Sequence, residues 1–299
     1  MLRSITFAAN DQTIHAKIAG RDDAPVMLML HGFPEYWAAW ADVASQLLDK
    51  YRIVLPDQRG FNLSSKPVDK AAYETKHLVA DIIALVDQIS PKRPIILCGH
   101  DWGASVAYAM AMRHADRISH LIIANGVHPM CFQKALFAGG AQTDASQYMN
   151  VLRAEGSEER LSANGYEKLL GMFEKFSSAP WLDDDIRDAY RTAWDQPGAL
   201  SAMLNWYRGS PMVVPQSGQP GRAFPITAEM RRKYRITMPH LLLWGAQDSA
   251  LVHEAREDLG QFCEDLKVVE QEHASHWILH EKPRWVAAQI SEFLEKHTV

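Results

Sequence analysis

The stretch that most limits the possible folds is Pro94–Arg113. An apolar run, Ile95-Ile96-Leu97-Cys98, breaks at Gly99-His100-Asp101-Trp102-Gly103 and gives way to an alanine-rich segment of helical composition. Such a run reads as a parallel strand buried on both faces. Strand, glycine-flanked turn and helix, in that order, form the setting of a nucleophile elbow. The turn strains its central residue, and flanking glycines let strand and helix approach without a clash. The central side chain then stands above the end of the sheet. Here it is Asp101, not serine. The competing reading is that Asp101 only caps the following helix.

An aspartate at the apex changes the chemistry. A carboxylate is a poor nucleophile toward an ester or amide carbonyl. Held in line with a saturated carbon, it can displace a leaving group and form an alkyl ester on the protein. Hydrolysis of that ester needs an oxyanion hole and a base.

The rest of the chain supplies a sheet for this elbow. Ser4–Ala8 and Thr13–Ile18 read as antiparallel edge strands joined at Asn10-Asp11-Gln12. Val26–Leu30, Tyr51–Leu55 and Ile118–Ala124 read as apolar strands, alternating with helices at Ala38–Lys50 and Leu78–Ile89. That alternation predicts a mostly parallel sheet. It lapses after Asn125 and resumes with strand His240–Trp244, helix Val252–Phe262, strand Leu266–Glu270 and helix Trp285–Glu295. The expected division is a core in two parts, 1–128 and 226–299, with a helical cap at 129–225 over the strand ends.

With 299 residues, 47% of them hydrophobic and 22% charged, the chain can bury a substantial core. A net charge of −5 without a basic tract argues against nucleic acid and anionic membranes as partners. Met1–Asn10 reads as a strand, not an export signal, and no apolar run is long enough to span a bilayer. Three scattered cysteines (Cys98, Cys131, Cys263) suggest buried thiols in a reducing compartment, the cytoplasm. No cofactor is called for. The chain is expected to act as a monomer or homodimer.

In elbows of this type the nucleophile is followed by an acid and then a base. Asp248 follows one apolar strand, and His276 follows the last. His276 could take a proton from water while Asp248 fixes its tautomer. Asp248 could instead be only a helix cap, and His273 and His280 are alternatives to His276. A metal held by His273, His276 and His280 lacks a matching carboxylate or cysteine spacing. The backbone N–H groups of Phe33, in His31-Gly32-Phe33-Pro34, and of Trp102 are in place to form an oxyanion hole.

Taken together, His31-Gly32-Phe33-Pro34-Glu35, Pro56-Asp57-Gln58-Arg59-Gly60, Gly99-His100-Asp101-Trp102-Gly103 and Asn205-Trp206-Tyr207-Arg208 resemble the epoxide hydrolase branch of the α/β-hydrolase superfamily. The resemblance covers nearly the whole chain and is weakest at 130–198. It implies an eight-stranded α/β-hydrolase fold with a helical cap. It also implies opening of a small apolar epoxide by Asp101, with hydrolysis to a diol driven by His276 and Asp248. Two cap tyrosines would donate to the epoxide oxygen. Tyr207 matches one, and Tyr148 is the candidate for the second, with Tyr166 and Tyr190 as alternatives. Phe33, Trp102 and Trp206 are expected to contact substrate.

Haloalkane dehalogenases share the aspartate elbow and the tryptophan after it. They usually carry Asn where this chain has Phe33, and several place the acid where this chain has Asn125. Haloacetate dehalogenases carry arginines after the nucleophile, where this chain has Trp102 and Ser105. A non-catalytic binding protein on the same fold is the reading from a different class.

Overall fold

The computed structural model describes residues 2–297. Met1, Thr298 and Val299, which the expected core segments include, lie outside the described residues. Eight strands form one sheet: β1 (Arg3–Ala9), β2 (Gln12–Ala19), β3 (Val26–Leu30), β4 (Arg52–Pro56), β5 (Ile95–His100), β6 (Ile118–Ala124), β7 (His240–Gly245) and β8 (Leu266–Gln271). Their order is β1-β2-β4-β3-β5-β6-β7-β8. β2 is antiparallel to both neighbours, and the other pairings are parallel. The mostly parallel sheet is what the strand–helix alternation predicts, and the eight-stranded α/β-hydrolase architecture is what the resemblance implies.

Both faces of the central sheet are covered, which is why its strands read as continuous apolar runs. Leu28, Leu30, Val54 and Leu97 point into one core, while Met27, Met29, Ile53, Leu55, Ile96 and Cys98 point into the other. α1 (Ala41–Ser45) covers the second face with C-terminal helices. α2 (Thr75–Ile89) and α3 (Trp102–Arg113) cover the first.

Between β6 and β7 the chain leaves the sheet. It forms α4 (Pro129–Phe137), α5 (Ala141–Ala145), α6 (Gln147–Arg153), α7 (Ser157–Lys175), α8 (Asp184–Trp194), α9 (Ala199–Arg208) and α10 (Ala228–Lys233). α7 is broken at Asn164, Gly165 and Tyr166, all at positive φ. α11 (Ile278–Glu281) and α12 (Pro283–Lys296) close the fold. Among the described residues no helix is long and apolar enough to cross a membrane.

Two expected helices are corrected. Val252–Phe262 holds only two 3₁₀ turns, His253–Ala255 and Leu259–Gln261. Leu251, Ala255 and Leu259 are buried at helical spacing, but Gly260 follows immediately and weakens a longer helix. Ala38–Lys50 starts as a 3₁₀ turn, Trp37–Trp40, and only Ala41–Ser45 is α-helical. Here tertiary bonds outrank propensity: the Trp37 N–H donates to Asp57, and the Trp40 indole donates to the Leu30 carbonyl.

Candidate active site

Asp101 joins β5 to α3 with φ 49° and ψ −117°, outside the region side chains ordinarily adopt. Its side chain makes no capping bond to α3, which removes the reading of Asp101 as a simple helix cap. The turn is held by close backbone packing. A Cβ at Gly103 would lie 2.2 Å from the Leu30 carbonyl oxygen, and one at Gly32 would lie 2.4 Å from Asp101 Cβ. Only glycine permits both approaches.

The carboxylate of Asp101 is 13% exposed, so it is largely enclosed yet reachable. Oδ1 accepts from the Phe33 N–H at 2.8 Å, and Oδ2 lies 3.6 Å from His276 Nε2. Trp102 opens α3, where backbone N–H groups have no partner within the helix. The Phe33-Pro34 peptide bond is cis.

His276 Nδ1 lies 2.8 Å from Asp248 Oδ2, so the carboxylate fixes this nitrogen as a donor. Asp248 does cap its loop, but with the other oxygen: Oδ1 accepts from the N–H groups of Ala250 and Leu251. Oδ2 remains for His276 and for Asn125 Nδ2 at 2.7 Å. The other histidines do not join this row. His273 is exposed, and His280 Nε2 lies 2.8 Å from Glu35.

These contacts set the charges. Burial works against the Asp101 carboxylate, but His276, His100 and the Phe33 N–H outweigh it and hold the pKa below the usual range. Burial likewise disfavours a charged His276, yet Asp248 and Asp101 raise its pKa to about 10. The resting row is therefore a protonated imidazole between two carboxylates.

A cavity opens above Asp101, lined also by Trp102, Tyr148, Tyr207, Phe132 and Met149. The Tyr148 and Tyr207 rings are 6.4 Å apart, and the Tyr207 ring is 5.0 Å from both Phe33 and Trp102. Burial pushes both phenols above the usual range, so they are protonated donors at neutral pH. Tyr166 donates instead to Asp195, and Tyr190 is buried beside His280. Trp206, expected to contact substrate, is buried. It does not line the cavity, and its buried indole donates to the Arg59 carbonyl at 2.8 Å. Phe33 presents its N–H to Asp101 and packs its ring on Tyr207.

The family model described as α/β hydrolase fold matches residues 25–283. The chain is also 34% identical to the AB hydrolase superfamily protein YfhM of Bacillus subtilis (strain 168), over 96% of each. The chain belongs to the α/β-hydrolase fold family. Relatives of this α/β-hydrolase include Epoxide hydrolase 2 of Caenorhabditis elegans, 30% identical over 95% of this chain and 77% of that one. Among solved structures, one of the novel epoxide hydrolases from metagenomes of hot environments superposes with TM-score 0.87 at 32% identity. It covers 98% of this chain and 99% of its own. The epoxide hydrolase of Bacillus megaterium in complex with an inhibitor gives TM-score 0.85 at 27% identity, covering 97% and 100%. The chain is an epoxide hydrolase-like α/β-hydrolase enzyme.

Sequence reasoning left two supports of this α/β-hydrolase unassigned. Asn125, at φ 35° beyond β6, donates to Asp248 and accepts from the Gly245 N–H. The signal was an asparagine at a strand end, next to the nucleophile strand. Glu35, 1% exposed, bridges His100 Nδ1 at 2.9 Å and His280 Nε2 at 2.8 Å. Burial opposes its charge, but the two imidazoles outweigh burial and hold its pKa well below the usual carboxylate range. His100 Nε2 in turn reaches the His276 carbonyl oxygen at 2.9 Å. A charged residue after an apolar strand and loop was the only clue to Glu35.

Proposed function

We propose that this enzyme opens small apolar epoxides to vicinal diols through an alkyl ester on Asp101. The helical segment 129–225 serves as a cap over the core formed by 1–128 and 226–299. The observation that carries the reading is a carboxylate at the elbow apex sharing one cavity with two protonated phenols. A serine hydrolase has no use for two acids facing its nucleophile. An epoxide does, because its leaving oxygen becomes an alkoxide that stays attached to the substrate.

In the first step Asp101 attacks an epoxide carbon, the Cα–O bond of that ring carbon breaks, and Tyr148 and Tyr207 donate to the oxygen released. The charge of Asp101 is then gone. His276 loses one of the two carboxylates that hold its proton, so its pKa falls; the proton passes to the new alkoxide, directly or through the tyrosine that served it, and leaves His276 a neutral base. Nε2 and Oδ2 are 3.6 Å apart, so a water held beside Nε2 on the cavity side comes close to the ester carbon. That water attacks the ester carbonyl, giving its proton to His276, while the N–H groups of Phe33 and Trp102 steady the oxyanion. The acyl–oxygen bond breaks, the proton passes from His276 to the departing oxygen, and the carboxyl proton of Asp101 returns to His276, which restores the resting row. The three unpaired cysteines fit a reducing compartment, the cytoplasm.

A single turnover of styrene oxide in heavy-oxygen water, with enzyme in excess, tests this. The label should enter Asp101 and be absent from the first diol released. Label in the diol alone would overturn the covalent step. Halide release from a haloalkane or haloacetate, without diol from any epoxide, would favour a dehalogenase. Inactivity toward all three would favour a binding protein.

A further inference from the structure

On the β1–β2 side of the sheet a second carboxylate–histidine–hydroxyl row occurs. The Asp57 side chain is fully buried after β4. Its Oδ1 accepts from the Trp37 N–H at 3.0 Å, and its Oδ2 accepts from Asn62 Nδ2 at 2.9 Å. Oδ2 also lies 2.7 Å from His15 Nδ1. An ionised carboxylate only accepts, so Nδ1 donates to it, and in the neutral ring Nε2 is then the acceptor. Ser4 Oγ stands 3.3 Å from that nitrogen. Register explains the meeting: Ser4 pairs with Lys17 and Thr6 with His15, which makes Ser4 and His15 diagonal neighbours on one face. Lys17 Nζ donates to the same Oγ at 2.8 Å and lies 5.1 Å from the Trp37 ring. His15 is 5% exposed, whereas Ser4 is open to solvent.

The order matches the row at Asp101, with carboxylate on Nδ1 and nucleophile on Nε2. Pinning β2 to the loop after β4 accounts for the His15–Asp57 bond. It does not account for an exposed hydroxyl on the other nitrogen with an ammonium beside it.

We propose that Ser4 is a second nucleophilic site, separate from Asp101, that accepts an acyl group from small activated acyl esters. Ser4 Oγ forms a bond to the carbonyl carbon, and the bond from that carbon to the leaving oxygen breaks. The hydroxyl proton passes to His15 Nε2 and from there to the leaving group. The Lys17 ammonium stabilises Oγ as negative charge develops on it.

The test treats the full chain with p-nitrophenyl acetate and maps acetylated peptides by mass spectrometry over time. Ser162, an exposed serine bonded to the Glu159 carbonyl, is the internal reference. Ser4 should acetylate about 100-fold faster than Ser162, the low end of what a positioned base supplies. His15→Gln should bring Ser4 down to the Ser162 rate. Ser4→Ala should remove that acetyl group and leave the far-ultraviolet circular dichroism and the turnover of styrene oxide unchanged. Should His15→Gln fail to fold, the wild-type ratio and the slowing expected in Lys17→Met still decide. Acetylation confined to His15 or Lys17, or a Ser4 rate no higher than that of Ser162, would overturn the proposal.

Discussion

The floor and the roof of the cavity are built in different ways. On the floor, Asp101, Asp248 and His276 each follow a strand, and hydrogen bonds from backbone and side chains fix both carboxylates. On the roof, Tyr148 and Tyr207 ride on α6 and α9, and ring packing holds them. Hydrogen bonds also tie the roof to the floor, among them those from the Trp194 indole to the Pro34 carbonyl, the Trp206 indole to the Arg59 carbonyl, the Gln142 amide to the Ala250 carbonyl and the Ser178 N–H to Glu281. The contrast separates two tasks. In the proposed mechanism the covalent chemistry falls to loops at the ends of the sheet, and stabilisation of the leaving oxygen falls to inserted helices that aromatic contacts help to place.

The largest effect should come from breaking the floor alone. His276→Gln removes the base but leaves Asp101 and both phenols. Turnover should fall about 10³-fold, within the range for a general base. Intact-mass spectrometry should then show an accumulated substrate adduct, since the roof can still assist ring opening. Steady turnover without an adduct would mean that floor and roof do not divide the reaction in this way.

Breaking the roof should act on the other step. Tyr207→Phe or Tyr148→Phe should slow the pre-steady-state alkylation of Asp101 about 100-fold, as loss of one oxyanion donor does. Hydrolysis of the ester, followed from a pre-formed adduct, should be unchanged. Equal slowing of both steps would place the tyrosines in positioning and not in ring opening.

The same contrast governs what the sequence makes legible. Val26–Leu30 forms a strand with the bounds expected because burial on both faces leaves an unbroken apolar run, and Ile118–Ala124 does so although Ser119 and His120 interrupt it. Asp101 stands out because it directly follows such a strand, and Asp248 and His276 because each lies in the loop after a strand, β7 and the only partly buried β8. The partners of Asp248 and Glu35 do not stand out, since Asn125 is 123 residues from one and His280 is 245 from the other. The roof is harder still. A motif names Trp206 and Tyr207 together, but adjacent residues on a helix point about 100° apart, and packing decides which one meets the cavity. Trp206 accordingly turns into the core, whereas Tyr207 lines the cavity.

Acid should loosen the roof at its root. His128 precedes α4, and its Nδ1 accepts from the Met130 N–H while Nε2 reaches the Tyr234 carbonyl. Burial lowers its pKa from 6.5 to about 4, so it is neutral in the folded protein at pH 6. The unfolded chain binds the extra proton first. Stability therefore falls as pH drops from about 6.5 through 4, by on the order of 2 kcal/mol from this residue. His128→Asn keeps a capping acceptor without titrating in that window. Urea unfolding across that range should show a flatter acid limb in the variant. Buried His240, also lowered to about 4, stays in both proteins and keeps part of the slope.

The smallest effect expected is also the sharpest test of the division between anchor and contact. Trp206→Phe keeps an aromatic ring between Phe61 and Trp102 but removes the donor to the Arg59 carbonyl. A buried acceptor that loses its partner costs about 1 kcal/mol, so the midpoint of urea unfolding should fall by a corresponding amount. KM for styrene oxide should hold, because the residue meets the core and not the cavity. Tyr207 is its neighbour on α9, and a small loss in the alkylation rate would show that the tether sets the height of the roof. A raised KM at unchanged stability would make Trp206 a wall of the substrate site after all.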